Sequence, residues 1–417
     1  MSWIRQLSPE LDEDANALGS KAFGLVVLLR LGLPVPPAFV IGTAACRAFL
    51  RDGRPPDGLV DEVASAITAL PGAVSVRSGA AVSMPGMMST ILNVSTDIEP
   101  IMRAIETVFS SWNTPRAQTY RTLHGIPHDS GTAVVVQAMV YGDRDEHSGS
   151  GVAFSRNPNT GERIPYGDVL FGRQGEAVVS GRSTTAPLSD LQDGEPAVWQ
   201  ALLDALGRIE AHYRDACSVE FTFESGRLWL LQVRSGGLVG RAAVRVAVEL
   251  VDEGVIDRGE AVARVSPKQL AHVRTPRLDL DKADVLARGI GASPGVAIGK
   301  VATTADAAVR MAADGPVILV RPETSPLDLH GLAAAAGVVT AKGGPTSHAA
   351  VVARSMGKPA VVGATGLALE DGTLVSIDGT GGEVVRGHAA VLTDEEDPHV
   401  GRLLAWAEDA RSRLRKG

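Results

Sequence analysis

The hydrophobic period changes three times along this chain, and that limits its possible folds more than any single motif does. Residues 1 to about 235 alternate short apolar runs, glycine-rich turns and amphipathic stretches, the pattern of α/β or α+β architecture. From 236 to 288, GLVGRAAVRVAVELVDEGVIDRGEAVARVSPKQLAHV keeps helical spacing with few strand signals. Residues 289–386 return to short strands (VILV, GVVTA, AVVG, LVSID) between glycine-rich turns. Residues 387–417 end in LLAWAEDARSRLRKG, an amphipathic helix with basic residues at its C-terminus. The expectation is a multidomain α/β and α+β chain: a large domain over 1–235, a helical linker over 236–288, a compact domain over 289–386 and a helical tail over 387–417.

A chain of 417 residues, 45% hydrophobic and 21% charged, buries a core in each such domain. Its net charge of −8 argues against a sequence-independent grip on nucleic acid, which needs a basic surface. Cys46 and Cys217 form no metal-ligand pattern and suit a reducing compartment. The polar, acidic start MSWIRQLSPELDEDA is no signal peptide, and no apolar run approaches the roughly 18 residues of a membrane span. A cytoplasmic protein without membrane or nucleic-acid partners is expected.

GGPTSHAAVVARSMGKPAVVG (343–363) concentrates chemistry-bearing residues in one loop. The preceding AAAAGVVTA reads as a strand. HAAVVARSM has helical spacing, with Ala349, Val352, Ala353 and Met356 on one face, and Gly357 and Pro359 stop it. Thr346 or Ser347 is the expected N-cap. His348 then sits at a helix N-terminus, whose free N–H groups and macrodipole favour an anion and disfavour imidazolium. It is either a neutral nucleophile in a ready-made anion site or a structural histidine at a helix start.

Three stretches of the first half carry polar groups at strand ends. LGSKAFGL places Lys21 in a Gly/Ser turn before a helix, where it either reaches a phosphate or stays solvated. AVSVRSGAAVSMPGMMST sets Arg77 at the end of a strand, before a Gly/Pro loop with three methionines that is either a mobile cover over a nucleotide or a buried turn. SVEFTFESGRLWLLQVRSGG reads as a hairpin. A three-residue loop Glu224-Ser225-Gly226, with Gly226 left-handed, puts Glu220, Gln232 and Arg234 on one face, able to hold Mg²⁺ and polyphosphate. A two-residue loop puts Glu220 on the opposite face from Gln232, and a solvated edge hairpin is the plainer reading.

Taken together and in order, LGSKAFGL, LGLPVPPAFVI, VSVRSGAAVSMPGMM, GTAVVVQAMVYG, SGSGVAFSRNPNTGE, VEFTFESGRLWLLQVR, ASPGVAIGK, ETSPLDLHGL and GGPTSHAAVVARSMGKPAVVG resemble the pyruvate phosphate dikinase family of PEP-utilising enzymes. The resemblance implies an ATP-grasp-type nucleotide-binding domain, a helical linker and a swivelling β/α phosphohistidine domain. It also implies an ATP-dependent phosphotransferase, in which the β-phosphoryl group of ATP passes to a histidine and AMP is released. The γ-phosphoryl group goes to phosphate or water. By position, Lys21, Arg77, Glu176, Glu220, Gln232 and Arg234 would bind ATP, with Glu220 and Gln232 holding Mg²⁺. His348 would be the carrier, and Thr346 matches a threonine that some dikinases use for regulatory phosphorylation.

The chain departs from the family pattern in three places. Ser218 precedes Val219-Glu220 where the family has an aspartate, Ser89 replaces the aspartate of the MMDT block, and the stretch after LNV is shorter than usual. No residues match the family's pyruvate- or PEP-binding barrel, so the expected acceptor is something other than pyruvate, either an unidentified small molecule or a partner protein. The alternative is a phosphocarrier or regulatory subunit that works with a separately encoded barrel.

Overall fold

The computed structural model describes residues 2–84, 86–174, 185–238, 240–266, 269–270, 276–281, 283–392 and 397–414. In chain order these form strands β1 (Ile4–Gln6), β2 (Ala38–Ile41), β3 (Val74–Gly79), β4 (Thr90–Val94), β5 (Ala133–Ala138), β6 (Gly149–Phe154), β7 (Tyr166–Phe171), β8 (Ala186–Pro187), β9 (Cys217–Glu224) and β10 (Arg227–Ser235). Helices α1 (Ala15–Arg30), α2 (Thr43–Asp52), α3 (Leu59–Ile67), α4 (Ile98–Ser111), α5 (Pro115–His124) and α6 (Pro196–Tyr213) lie among them. By contact the chain divides into two compact units. The first holds residues 1–149, 171–173 and 219–233, and the second holds 150–170, 174–218 and 234–417. The first unit is therefore assembled from three separate pieces of chain, where the sequence suggested one continuous stretch.

In the first unit a five-stranded sheet runs in the order β1-β2-β5-β3-β4. Phe39, Ile41, Val74, Val76, Val134 and Val136 pack from it against Ile105, Val108 and Phe109 of α4. β3 lies between β5 and β4, and all six of its residues are buried, so a charge carried there must be paired. α1 is broken at Gly19, whose φ of 76° and ψ of 153° are closed to residues with a side chain. A Cβ on Gly19 would lie 1.6 Å from the carbonyl oxygen of Gly79. The close crossing brings Lys21 beside the end of β3, and Ser20 N–H and Oγ both donate to Ala80 O, at 2.9 and 2.8 Å.

The second unit continues with α7 (Gly240–Asp252), α8 (Arg258–Arg264), β11 (Arg277–Leu278), β12 (Val285–Arg288), β13 (Ile290–Ser293), β14 (Val296–Ala302), α9 (Ala305–Met311), β15 (Val317–Arg321), α10 (Leu329–Ala334), β16 (Gly337–Thr340), α11 (His348–Met356), β17 (Ala360–Val362), β18 (Leu374–Asp378), β19 (Glu383–Arg386), β20 (Val391–Leu392) and α12 (Pro398–Leu414). Of the stretch 236–288 read as a helical linker, residues 240–252 (α7) and 258–264 (α8) are helical, and Leu403 of the tail helix α12 is buried in their shared core. The end of the expected linker is not helical: Arg277 and Leu278 pair with β20, and Val285–Arg288 pair with β19. Both short strands are recruited by distant partners rather than by local propensity.

An eight-stranded sheet orders β12-β19-β18-β14-β15-β16-β17-β13, with β14, β15, β16 and β17 parallel to one another. α11 is the crossover between the parallel neighbours β16 and β17, so its N-terminus stands at the carboxyl end of β16. That is where open parallel sheets place their sites. In the same unit β6, β7 and β8 lie side by side in that order. Fully buried Arg156, just after β6, binds Glu210 of α6 at 2.8 Å, Glu249 of α7 at 3.1 Å and Glu253 at 3.0 Å.

Candidate functional site

In the first unit Arg77 is the organising cation. It is 8% exposed, and its Nη2 lies 3.1 Å from Glu220 Oε2 while Nη1 donates to Leu231 O at 2.9 Å and to Gln137 Oε1 at 3.4 Å. Lys21 stands beside the same strand, because a Cβ on Gly79 would come within 3.3 Å of the Lys21 Cβ. The structure thus brings Lys21, Arg77 and Glu220 to one end of β3. Gln232 is buried on β10, next to the Leu231 carbonyl that Arg77 holds. Arg234 is half-buried and falls in the second unit. Glu176 lies outside the described residues.

The hairpin corrects the expected register. Its loop has two residues, with both Ser225 (φ 48°) and Gly226 (φ 74°) left-handed, the geometry of a type I′ turn. Serine tolerates that conformation here because neighbours hold it: Ser225 N–H donates to Ser148 Oγ at 3.0 Å, Ser225 Oγ donates to Asp145, and Gly226 N–H donates to His147 O at 2.8 Å. A regular two-residue hairpin sets Glu220 opposite Leu231, and Arg77 binds that pair. Gln232 then falls on the other face of a regular ladder, but the alternation of burial along β10 breaks at Gln232 and Val233, both buried. The simple rule that Glu220, Gln232 and Arg234 share one face does not describe this strand.

The methionine loop resolves toward a buried turn at Met84 and Met87, which are 6% and 0% exposed. Arg116 Nε donates to Met87 O at 3.0 Å. Ser89, in place of the family aspartate, has its N–H bonded to Ser111 Oγ at 3.1 Å.

In the second unit the histidine loop has the expected local form. α11 begins at His348, Ser347 occupies the N-cap position with φ −61° and ψ 160°, and Gly357 closes the helix left-handed at φ 65°. Ser347 makes no capping bond. Its Oγ is buried and has no hydrogen-bond partner among the described residues. Thr346 caps nothing either: its N–H (3.0 Å) and its hydroxyl (2.6 Å) both donate to Asp168 Oδ2 of β7, and Thr185 Oγ1 donates to Oδ1 at 3.1 Å. Burial raises the Asp168 carboxyl above the usual aspartate range, against the pull of those three donors and of Arg354.

His348 Nδ1 lies 3.2 Å from Thr324 Oγ1, in the loop after β15. That loop is set by a capping box in which Ser325 and Asp328 bond reciprocally. Arg354, 8% exposed, donates to Ala292 O at 3.1 Å and to Pro345 O, so it braces the back of the loop. Burial lowers its pKa to about 10. Sequence reading missed Thr324, Asp168 and Arg354 as site residues. The S-x-x-D signature of the ETSPLD block was the one local signal pointing toward Thr324.

Among the described residues no helix is long and apolar enough to cross a membrane. Residues 52–189 match the AMP/ATP-binding domain model of pyruvate phosphate dikinase, and residues 313–382 match that of the PEP-utilising enzyme mobile domain. Arg77 and Asp168 fall in the first match, Thr324, Thr346 and His348 in the second. The pyruvate, phosphate dikinase of Rhizobium meliloti (strain 1021) is 35% identical over 528 residues, covering 96% of this chain and 59% of its own. That of Clostridium symbiosum is 34% identical over 530 residues, covering 98% and 61%. The chain therefore spans about three-fifths of the length of the curated relatives it matches. Among solved structures, D-alanyl-alanine synthetase A from Vibrio cholerae aligns over 60% of this chain and 63% of its own, with 13% identity and a TM-score of 0.33, too remote to bear on function. The nucleotide module and the mobile histidine module occur in one chain and in the family's order, and nearly the whole chain aligns with dikinases at about a third identity, so the chain carries these two modules of the pyruvate phosphate dikinase family of PEP-utilising enzymes.

Proposed function

We propose that these residues catalyse an ATP-dependent phosphotransfer of dikinase type, with His348 as the carrier. The observation that carries this reading is the start of α11. A histidine stands at the carboxyl end of a parallel strand, beside the buried Ser347 hydroxyl, which has no hydrogen-bond partner among the described residues, at a helix N-terminus whose N–H groups favour an anion. When His348 Nδ1–H donates to Thr324, Nε2 keeps its lone pair for attack. That pair bonds to the β-phosphorus of ATP, the bond from it to the oxygen bridging the α-phosphate breaks, and AMP leaves with the electrons. The γ-phosphoryl group passes to phosphate or water. Lys21 and Arg77 supply positive charge where charge develops on the transferred group.

The oxygen donors near Arg77 suit Mg²⁺, which is held through one or two carboxylates together with substrate phosphates. Glu220 would hold it, with Gln232 joining it where the break in alternation at Gln232 and Val233 carries that amide to the Glu220 face, and Mg²⁺ would neutralise phosphoryl charge during transfer. Glu176 and Arg234 are proposed to complete the ATP site. The acceptor proposed for the loaded histidine is one other than pyruvate. A partner that supplies a barrel is the second reading.

Incubation with β-labelled and with γ-labelled ATP tests the proposal. Acid-labile, alkali-stable β-label should appear on the protein with stoichiometric AMP, and His348→Ala should abolish it. Label that persists in His348→Ala refutes the assignment. Discharge of the labelled protein by pyruvate alone, yielding phosphoenolpyruvate, refutes the proposed acceptor.

A further inference from the structure

The contact between Asp168 and Thr346 joins residues of the AMP/ATP-binding match to residues of the mobile-domain match, 178 positions apart in the chain. Several features make it a built dock rather than a chance contact. Asp168 is 3% exposed and Thr346 also 3%. One carboxylate oxygen takes both the N–H and the hydroxyl of Thr346, and the other takes Thr185 Oγ1. The loop backbone presses onto the acid, since a Cβ on Gly344 would lie 2.6 Å from Asp168 Oδ1 and 2.7 Å from Thr185 Oγ1. Tyr166 of the same strand and Arg354 behind the loop are the other ionisable groups that face the pair.

We propose that Asp168 is the dock that holds the carrier loop in its receiving pose, and that the charge His348 acquires on phosphorylation releases that same contact. This rests on His348 being the carrier. An unloaded histidine leaves the loop near neutral, and the buried carboxylate binds it through Thr346. A phosphoryl group adds a charge on the order of −2 two residues from Thr346, close to a carboxylate that cannot move into water without breaking the dock. Loading and letting go are then one event. Asp168 is a positioning residue in this scheme and touches no reacting atom.

The test reads hydrogen exchange of the 344–356 peptide by mass spectrometry in the full chain, before and after loading, alongside the rate of β-label incorporation and ATP affinity. Loading should speed exchange of the wild-type loop by about tenfold or more, the gain expected from losing buried hydrogen bonds. Asp168→Asn keeps an acceptor without the charge, so its loop should change less than threefold on loading. Thr346→Val should slow label incorporation about tenfold with ATP affinity unchanged, a split that a purely structural defect would not give. A loaded wild-type loop that stays protected, or an Asp168→Asn loop that opens as the wild type does, overturns the dock. If ATP labels nothing, the carrier reading fails separately, and loading by phosphoramidate, with His348→Ala as control, performs the same exchange comparison.

Discussion

The Arg77–Glu220 pair gives the sharpest energetic test of the nucleotide end of the molecule. Arg77→Met keeps most of the buried stem and removes the guanidinium. The variant loses the bond to Leu231 O, worth about 1–1.5 kcal/mol. It also leaves a carboxylate that is 24% exposed beside a 10% exposed apolar chain. Breaking a fully buried pair from one side costs about 3–5 kcal/mol, and the partial exposure of Glu220 reduces this, so a total near 3 kcal/mol is expected. Glu220→Gln retains an acceptor for Arg77 and should cost only about 1 kcal/mol. In the double variant the two effects should fall short of additivity by about 1–2 kcal/mol. Unfolding of a chain with two compact units need not be two-state, so the assay is hydrogen exchange of Val134, Val135 and Val136 at the centre of the first sheet, which reports opening of that unit. Strict additivity would mean that the guanidinium does not rest on Glu220, and the geometry of the ATP site would fall with it.

Gly19→Ala should destabilise the first unit by about 3 kcal/mol or more, because a Cβ there meets the Gly79 carbonyl at 1.6 Å and φ is 76°. Gly53→Ala, also left-handed (φ 69°) but with nothing within 4 Å, should cost only about 1 kcal/mol in the same hydrogen-exchange assay, and equal losses would refute the close crossing. Because burial raises the Asp168 carboxyl above its unfolded value, the stability this group contributes is present below the ordinary aspartate range and is lost as pH rises through the raised value. The melting temperature of Asp168→Asn relative to wild type should therefore be more favourable at pH 7 than at pH 4, and an opposite slope would show that the carboxylate is stabilised as an anion.

What the sequence reveals and what it hides divides along chain distance. α11 and its flanking strands are legible because their signals are local: Ser347 at the N-cap, Gly357 left-handed at the end, and apolar runs of three to four residues on either side. Thr346 was readable as a capping residue and is not one, because Asp168 takes its hydroxyl across 178 positions and no local pattern encodes that. The hairpin was visible, but its register was not. Ser225 adopts a left-handed turn only through Ser148, Asp145 and His147, which belong to another stretch of chain. Arg277–Leu278 and Val285–Arg288 carry too little strand signal to stand out from a helical linker, and become strands because β20 and β19 offer them partners.

The eight-stranded sheet has a topological property that bears on life in a concentrated cell. Its two outermost strands, β12 and β13, are consecutive in the chain, separated by Gly289 alone. Each is only four residues long, and Gly289 N–H is bonded to Gly382 O at 2.8 Å, in the turn between β18 and β19. One short ribbon of backbone thus forms both margins of the sheet. Unpaired margins are where proteins recruit one another into aggregates, and long flat ones are the most dangerous. A module proposed to leave its dock in each catalytic cycle would uncover its surface repeatedly, and here the sheet has no long strand to offer a neighbour when that happens.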